Sequence, residues 1–193
     1  MNKKLAICIP TYNRCDELKR QLEFFLNEIE DYKDDVDLYI SDNKSVDGTI
    51  EYLEKKQKDY PWINVIINEE NNGLVGNLYR LLHKSGKSEF IWFVSDDDIF
   101  NKGVVKEISN VINNDHNLGG IFINSELWIH NGLNEVVRDV DIIINSENSG
   151  LRTDSDRAIY ELFQKKNTIL MWISAWVVNR RAVEEIEKLN FKN

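Results

Sequence analysis

Apolar positions along this chain follow two rhythms, one of strands and one of helices. Leu5 to Ile9 is an unbroken apolar run, the pattern of a strand buried on both faces. Asn13 to Asp16 then offers capping residues, and Leu18, Leu22, Phe25, Leu26 and Ile29 recur at helical spacing. Val36, Leu38 and Ile40 alternate into a second strand ending at Ser41-Asp42, and Asp47-Gly48-Thr49 opens a helix that carries Ile50 and Leu53. Ile63 to Ile67 is a third strand, followed by a helix marked by Leu74, Leu78, Leu81 and Leu82. Phe90 to Val94 is a fourth, followed by a helix marked by Val104, Val105, Ile108, Val111 and Ile112. This alternation predicts an α/β fold, a mostly parallel sheet with helices on both faces.

The rhythm changes in the second half. Gly120 to Ile129 reads as a strand, Val136 to Ile144 as one or two more, and Asp154 to Phe163 as a helix capped by Thr153 or Asp154. Thr168 to Val178 reads as a strand and Arg181 to Leu189 as a last short helix, so this half is mixed. No linker or repeat divides the 193 residues, and a single domain is expected.

Composition narrows the function. Hydrophobic residues make up 42% and charged residues 30%, enough apolar material for a sizeable core in a soluble protein. A formal net charge of −9 repels phosphate backbones, which argues against a nucleic-acid partner. It repels a nucleoside diphosphate equally, unless a cation bridges the two. Cys8 and Cys15 make neither a disulfide framework nor a zinc site, and reduced thiols point to the cytoplasm. No segment approaches the ~18 apolar residues of a membrane span, and the N-terminal run is too short for a cleaved signal. Membrane association is expected to be peripheral at most.

Ligands of an open parallel sheet bind outside the carboxyl ends of its strands. Four polar clusters fall at those ends: Pro10-Thr11-Tyr12-Asn13-Arg14, Ser41-Asp42-Asn43-Lys44-Ser45, Asn71-Asn72-Gly73, and Asp96-Asp97-Asp98. Each alone is ordinary turn chemistry; together they mark one rim. Three consecutive aspartates raise one another's pKa and cost stability unless a cation neutralises them. Their oxygens suit Mg2+ or Mn2+, which take one or two carboxylates plus substrate phosphates. The alternative is a solvated loop capping the next helix. Asp47 serves as the cap near Gly48-Thr49, which leaves Asp42 to accept a hydrogen bond from a base imide or a ribose hydroxyl. Gly73 is placed to supply a positive φ. His83, His116 and His130 form no metal spacing, and Trp92, Trp128, Trp172 and Trp176 read as core rather than sugar platforms.

These motifs, in order and spacing, resemble family 2 glycosyltransferases of the GT-A fold over roughly residues 3 to 115. They are Pro10-Thr11-Tyr12-Asn13-Arg14, then Asp42-Asn43-x-Ser45-x-Asp47-Gly48-Thr49, Asn72-Gly73 with Asn77, and Ser95-Asp96-Asp97-Asp98. The resemblance implies a Rossmann-like nucleotide-binding half over 1–115 and part of an acceptor-side half over 116–193. It implies that Pro10, Thr11, Tyr12, Arg14, Asn72, Gly73 and Asn77 belong to the nucleotide-sugar site. Asp42 then contacts the base, commonly uracil, and Asp96 lies near the ribose. Asp97, with Asp98 next, carries Mn2+ or Mg2+ on the diphosphate.

The implied activity is inverting, metal-dependent transfer of a sugar from a nucleoside diphosphate to a glycan or lipid-linked acceptor, in the cytoplasm or at the inner face of the membrane. The family's catalytic base follows the region resembling Ile173 through Arg181. It is expected beyond Asn193, which would leave this chain binding donor but transferring poorly. Glu126, Asp154 and Asp156 are carboxylates of the second half that no spacing singles out. Two rivals remain open: a non-catalytic nucleotide-sugar-binding fragment, and a nucleotidyltransferase, although the latter normally carries a Gly-rich basic loop after its first strand.

Overall fold

The computed structural model describes residues 3–114, 118–123, 127–130, 136–139, 173–181 and 183–184. Strand β1 (Leu5–Thr11) leads to helix α1 (Cys15–Ile29), β2 (Val36–Asp42), α2 (Thr49–Asp59), β3 (Asn64–Ile67) and α3 (Gly73–Lys84). β4 (Phe90–Phe93), α4 (Val104–Asn114) and β5 (Gly120–Phe122) follow, then β6 (Leu127–His130), β7 (Val136–Asp139) and β8 (Trp176–Asn179). All seven residues of β1 are buried, as its unbroken apolar run requires.

The main sheet has the order β3-β2-β1-β4-β8-β5. β1 pairs in parallel with β2 and β4, and β2 with β3, whereas β8 runs antiparallel to β4. The chain builds outward from β1 to β3, then returns to the other side of β1 as β4. The strand order therefore reverses between β1 and β4, where an open sheet leaves a crevice at its carboxyl edge. The chain divides into two compact units, residues 1–121 with 176–193, and residues 122–175. Within the second, β6 and β7 pair antiparallel, Leu127 opposite Asp139.

Each face of the sheet has its own core. On one, Trp92 lies opposite Ile7 in the register, and Phe25 of α1 meets it edge-on with ring centroids 5.6 Å apart. On the other, Ala6, Cys8, Tyr39, Leu81 and Ile91 form a buried cluster beneath α3. Cys8 and Cys15 are free thiols, and burial pushes Cys8 up to about 12, which makes it packing rather than a nucleophile. Two polar ties set the helices. Both oxygens of Glu28 accept the Gly103 N–H at 2.9 Å, satisfying a donor at the start of α4. Arg180 donates to the carbonyls of Leu82 and Ser85 at the end of α3, where a cation complements the helix dipole, and to that of Ser88 in the segment leading to β4.

Three expectations change. Gly120 to Ile129 is not one strand: β5 joins the main sheet and β6 pairs with β7, the polar Asn124-Ser125-Glu126 interrupting the apolar run. Within Thr168 to Val178, Ile173–Ala175 is a 3-10 turn that precedes the strand Trp176–Asn179, because a short apolar run does not distinguish strand from buried turn, and residues 168–172 lie outside the described residues. Leu74, read as part of an apolar helix stripe, is 60% exposed in the first turn of α3. The expected helix over Asp154 to Phe163 lies outside the described residues, as do Glu126, Asp154, Asp156, His116, Trp172, most of Val136 to Ile144 and the end of Arg181 to Leu189.

Candidate functional site

The four carboxyl ends form one continuous rim. Thr11 ends β1 opposite Asp42 at the end of β2, and the Asn43 N–H donates to the Thr11 carbonyl at 3.0 Å. Beyond β3, the Asn68 N–H donates to the Asp42 carbonyl at 2.9 Å. On the other flank Thr11 Oγ1 donates to Asp96 Oδ2 at 2.7 Å, across the β1/β4 reversal. Pro10 is buried within β1, opposite Ser41.

Loops after β1 and β2 lock each other. Asn13 adopts a left-handed φ of 52°, which Asn tolerates. Its N–H donates to Ser45 Oγ at 2.8 Å, and its side-chain oxygen accepts the Val46 N–H at 2.9 Å. Asp47 serves two helices: Oδ2 accepts the Cys15 N–H at 3.0 Å and Oδ1 the Thr49 N–H at 3.2 Å. Its burial would raise its pKa, but the donors from Thr49 and Cys15 outweigh it and hold the carboxyl below the usual range. This is the capping role read from the sequence, extended to α1 from a neighbouring loop.

Asp42 is fully buried. Its Oδ1 accepts the Ser45 N–H at 2.8 Å, while Oδ2 has no hydrogen-bond partner, so Asp42 is half committed rather than wholly free. Behind it lies an amide network that the sequence did not reveal. Asn43 donates to Asn71 Oδ1 at 2.6 Å and to the Gly73 carbonyl at 3.2 Å, and accepts from Asn68 and from the Asn72 N–H, both at 3.2 Å. Asn68 also donates to Asn77 Oδ1 at 3.1 Å, and Asn77 donates to the Ser41 carbonyl at 3.0 Å. Asn77 is 2% exposed, beneath the rim rather than on it. Gly73 has the positive φ expected of it, 68°. A polar Asn directly after the apolar Asn64–Ile67 strand was the available sign of Asn68.

At the end of β4 charge replaces amides. Arg14 Nη1 lies 2.5 Å from Asp97 Oδ2 and 3.2 Å from Asp96 Oδ1. Asp97 also accepts from Ser95 Oγ. Asp96 is 4% exposed, and burial lifts its pKa above the usual range despite Thr11 and Arg14. Burial acts upward on Asp97 too, but the hydrogen bonds from Ser95 and Arg14 prevail and hold it below. Arg14 is raised, first by its hydrogen bond to Asp97 and then by the charge of Asp96. Mutual repulsion of the aspartates, expected to dominate, is thus a minor influence, because the chain supplies its own cation from 83 residues away. Asp98 is half-buried, and Phe100 anchors the segment by packing on Trp92 and Phe25 with centroids 5.1 and 5.6 Å away. Tyr12 stands at the mouth, 44% exposed.

The rim geometry and the sequence order converge on one lineage, and the family model for glycosyl transferase family 2 matches residues 6–186. The chain belongs to glycosyl transferase family 2. Among relatives of this family-2 chain, the minor teichoic acid biosynthesis protein GgaA of Bacillus subtilis is 30% identical over 104 residues, 53% of this chain and 23% of that protein. A Campylobacter jejuni protein named GalNAc(5)-diNAcBac-PP-undecaprenol beta-1,3-glucosyltransferase is 29% identical over 126 residues, 64% of this chain and 40% of that one. The structure of S. aureus TarS 1–349 in complex with UDP superposes with a TM-score of 0.66 at 22% identity, covering 94% of this chain and 48% of that chain. The chain thus spans less than half the length of each. The fold is the GT-A arrangement expected from the motifs. Among the described residues no helix is long and apolar enough to cross a membrane.

Family 2 enzymes of this fold imply a divalent metal. Among the described residues no group of three or more His, Cys, Asp or Glu is arranged to hold one. The donor chemistry nonetheless fits: Asp97 is 45% exposed, offers hard oxygens at the strand end, and already holds a guanidinium as a stand-in cation.

Proposed function

We propose that this chain binds a nucleoside diphosphate sugar, by preference a uridine one, at the β1/β4 rim, and moves the sugar with inversion to a glycan or lipid-linked acceptor. The observation that carries this is the Thr11–Asp96–Arg14–Asp97 cluster at the strand-order reversal, an anchored carboxylate beside an exchangeable one. Mn2+ or Mg2+ would be held by Asp97 with Asp98, and when bound it supplies charge stabilisation to the leaving diphosphate. Thr11 keeps Asp96 oriented toward the ribose. Tyr12 offers a ring face to the base. Asp42 Oδ2 and Asn68 Oδ1, both buried acceptors without partners, favour a ligand that brings a donor, such as the imide N–H of uracil. At full burial Asp42 meets that donor only if its covering loop moves. In this reading Asn72 and Gly73 shape the rim, residues 1–115 form the nucleotide side of a single domain, and 116–193 form part of the acceptor side.

Support for the finer points comes from relatives. The TarS structure is described as a complex with UDP. One relative is named for teichoic acid biosynthesis and another for an undecaprenol-linked acceptor, which favours polysaccharide synthesis and a place at the inner face of the membrane. The test is a thermal-shift panel of UDP, GDP and UDP-sugars with and without Mn2+. UDP with Mn2+ should raise Tm, since a ligand of the folded state stabilises it by mass action. If no nucleoside diphosphate does so with metal present, the reading fails.

A further inference from the structure

We infer that Arg14 is the resident counter-cation of the aspartate cluster and competes with the divalent metal for Asp97, so that metal and nucleotide bind cooperatively. This rests on the metal–diphosphate reading above. Three observations carry it. First, one guanidinium nitrogen, Nη1, serves both Asp96 Oδ1 at 3.2 Å and Asp97 Oδ2 at 2.5 Å, the latter an oxygen that a metal on Asp97 would use. A guanidinium and a divalent cation cannot share that position. Second, the pair is placed to exchange: the Arg14 and Asp97 side chains are 48% and 45% exposed, whereas the Asp96 side chain is 6% exposed and keeps its bond from Thr11 if Arg14 leaves. Third, Arg14 is the N-cap residue of α1, on a loop pinned by Asn13–Ser45, Asn13–Val46 and Cys15–Asp47 contacts, so its side chain can swing without moving its backbone.

The exchange conserves charge pairing. Metal alone must displace Arg14 from Asp97 and leave it only its longer contact with Asp96, so it binds weakly. When a diphosphate arrives with the metal, Arg14 trades a carboxylate partner for a phosphate one, and its fork geometry suits either. Cooperativity of this kind is reciprocal: the factor by which UDP tightens Mn2+ equals that by which Mn2+ tightens UDP.

The test measures Mn2+ binding by the loss of the free-ion EPR signal, with and without UDP, in wild type, Arg14→Met and Arg14→Lys. Arg14→Met should bind Mn2+ alone more tightly than wild type, roughly three- to fivefold as exposed ion pairs allow. Its UDP–Mn2+ coupling factor should be smaller than in wild type, the part that remains coming from direct contact of the metal with the diphosphate. Arg14→Lys, which keeps the charge, should fall between the two. A structural role for Arg14 would lower Mn2+ affinity or leave it unchanged; either result, with circular dichroism and Tm like wild type, overturns the inference. The Mn2+-alone arm reads Arg14 whether or not UDP binds, so failure of the nucleotide reading is seen separately, as absence of any UDP effect in wild type.

Discussion

At the ends of β1 and β4 the rim is charged and half open, with the Arg14 and Asp97 side chains 48% and 45% exposed; at the ends of β2 and β3 it is closed and built on amides around the buried Asp42, with Asn43, Asn68 and Asn77 at 3%, 2% and 2%. Both regions use residues that turn statistics alone would call loop chemistry. Their physics differs. Buried amides linked to one another and to backbone carbonyls rigidify a site, because removing one leaves others unpaired in low dielectric. Exposed ion pairs contribute little to stability and exchange partners readily. One flank of the rim is therefore scaffold, apart from the loop over Asp42, and the other is free to rearrange around a ligand.

The sharpest way to break this contrast is Asn43→Ala. Asn43 makes four side-chain hydrogen bonds, all to the segment Asn68 to Gly73 that joins β3 to α3, and its loss leaves the Asn72 N–H and the Gly73 carbonyl without that side chain as partner and takes one bond each from Asn68 and Asn71. A loss of about 3 kcal/mol in urea-denaturation stability is expected, since each buried group left unpaired costs ~1–3 kcal/mol. Asn77→Ala should cost about 2 kcal/mol by the same logic. If both change stability by less than ~0.5 kcal/mol, the β2/β3 flank is not the scaffold argued here.

Sequence periodicity made the sheet and its four flanking helices legible because buried parallel strands are continuous apolar runs and each helix keeps one apolar face. The rim clusters were legible because strand ends need turn residues. What stayed hidden was pairing at a distance. Nothing local in Arg14 says that its partner is Asp97 rather than a phosphate, and Asn43 and Asn68 lie 25 residues apart in sequence. Asp42 was read as free, but one of its oxygens closes a turn onto Ser45, a contact that depends on backbone geometry. The second half was least legible, since Trp176–Asn179 crosses back to pair antiparallel with β4, and no periodicity announces a strand's neighbour.

A second prediction concerns the two aspartates directly. Asp96 titrates above, and Asp97 below, the ordinary carboxylate range. Carboxyl carbon chemical shifts followed against pH should show Asp96 protonating first as the solution is acidified. The signs for stability oppose one another. Asp97, depressed in the folded state, contributes stability above its unfolded pKa that is lost as pH falls through its folded value. Asp96, raised by burial, opposes folding at neutral pH, and that penalty is relieved as pH falls through its elevated value. Thr11→Val removes a hydrogen bond that lowers Asp96, so its titration should move further up while Asp97 stays low. Equal midpoints for the two carboxyls in wild type would contradict the asymmetry.

The smallest stability effect should come from Asp97→Asn, and there the contrast between the flanks is most exacting. Losing the Arg14 contact removes an ion pair between two side chains about half exposed, worth under ~1 kcal/mol. No gain is expected from relieved repulsion, because Arg14 already neutralises the pair and remains on Asp96 at 3.2 Å. The amide keeps a carbonyl oxygen for Ser95 and Arg14, so the loop should hold its shape. Urea denaturation should therefore differ from wild type by less than ~1 kcal/mol, while the Mn2+-dependent part of UDP binding, followed by titration calorimetry, should fall by tenfold or more, since an amide oxygen is a much weaker ligand for a hard cation. Retained Mn2+-dependent binding with a large loss of stability would reverse the assignment, making Asp97 the scaffold and leaving the metal to Asp98.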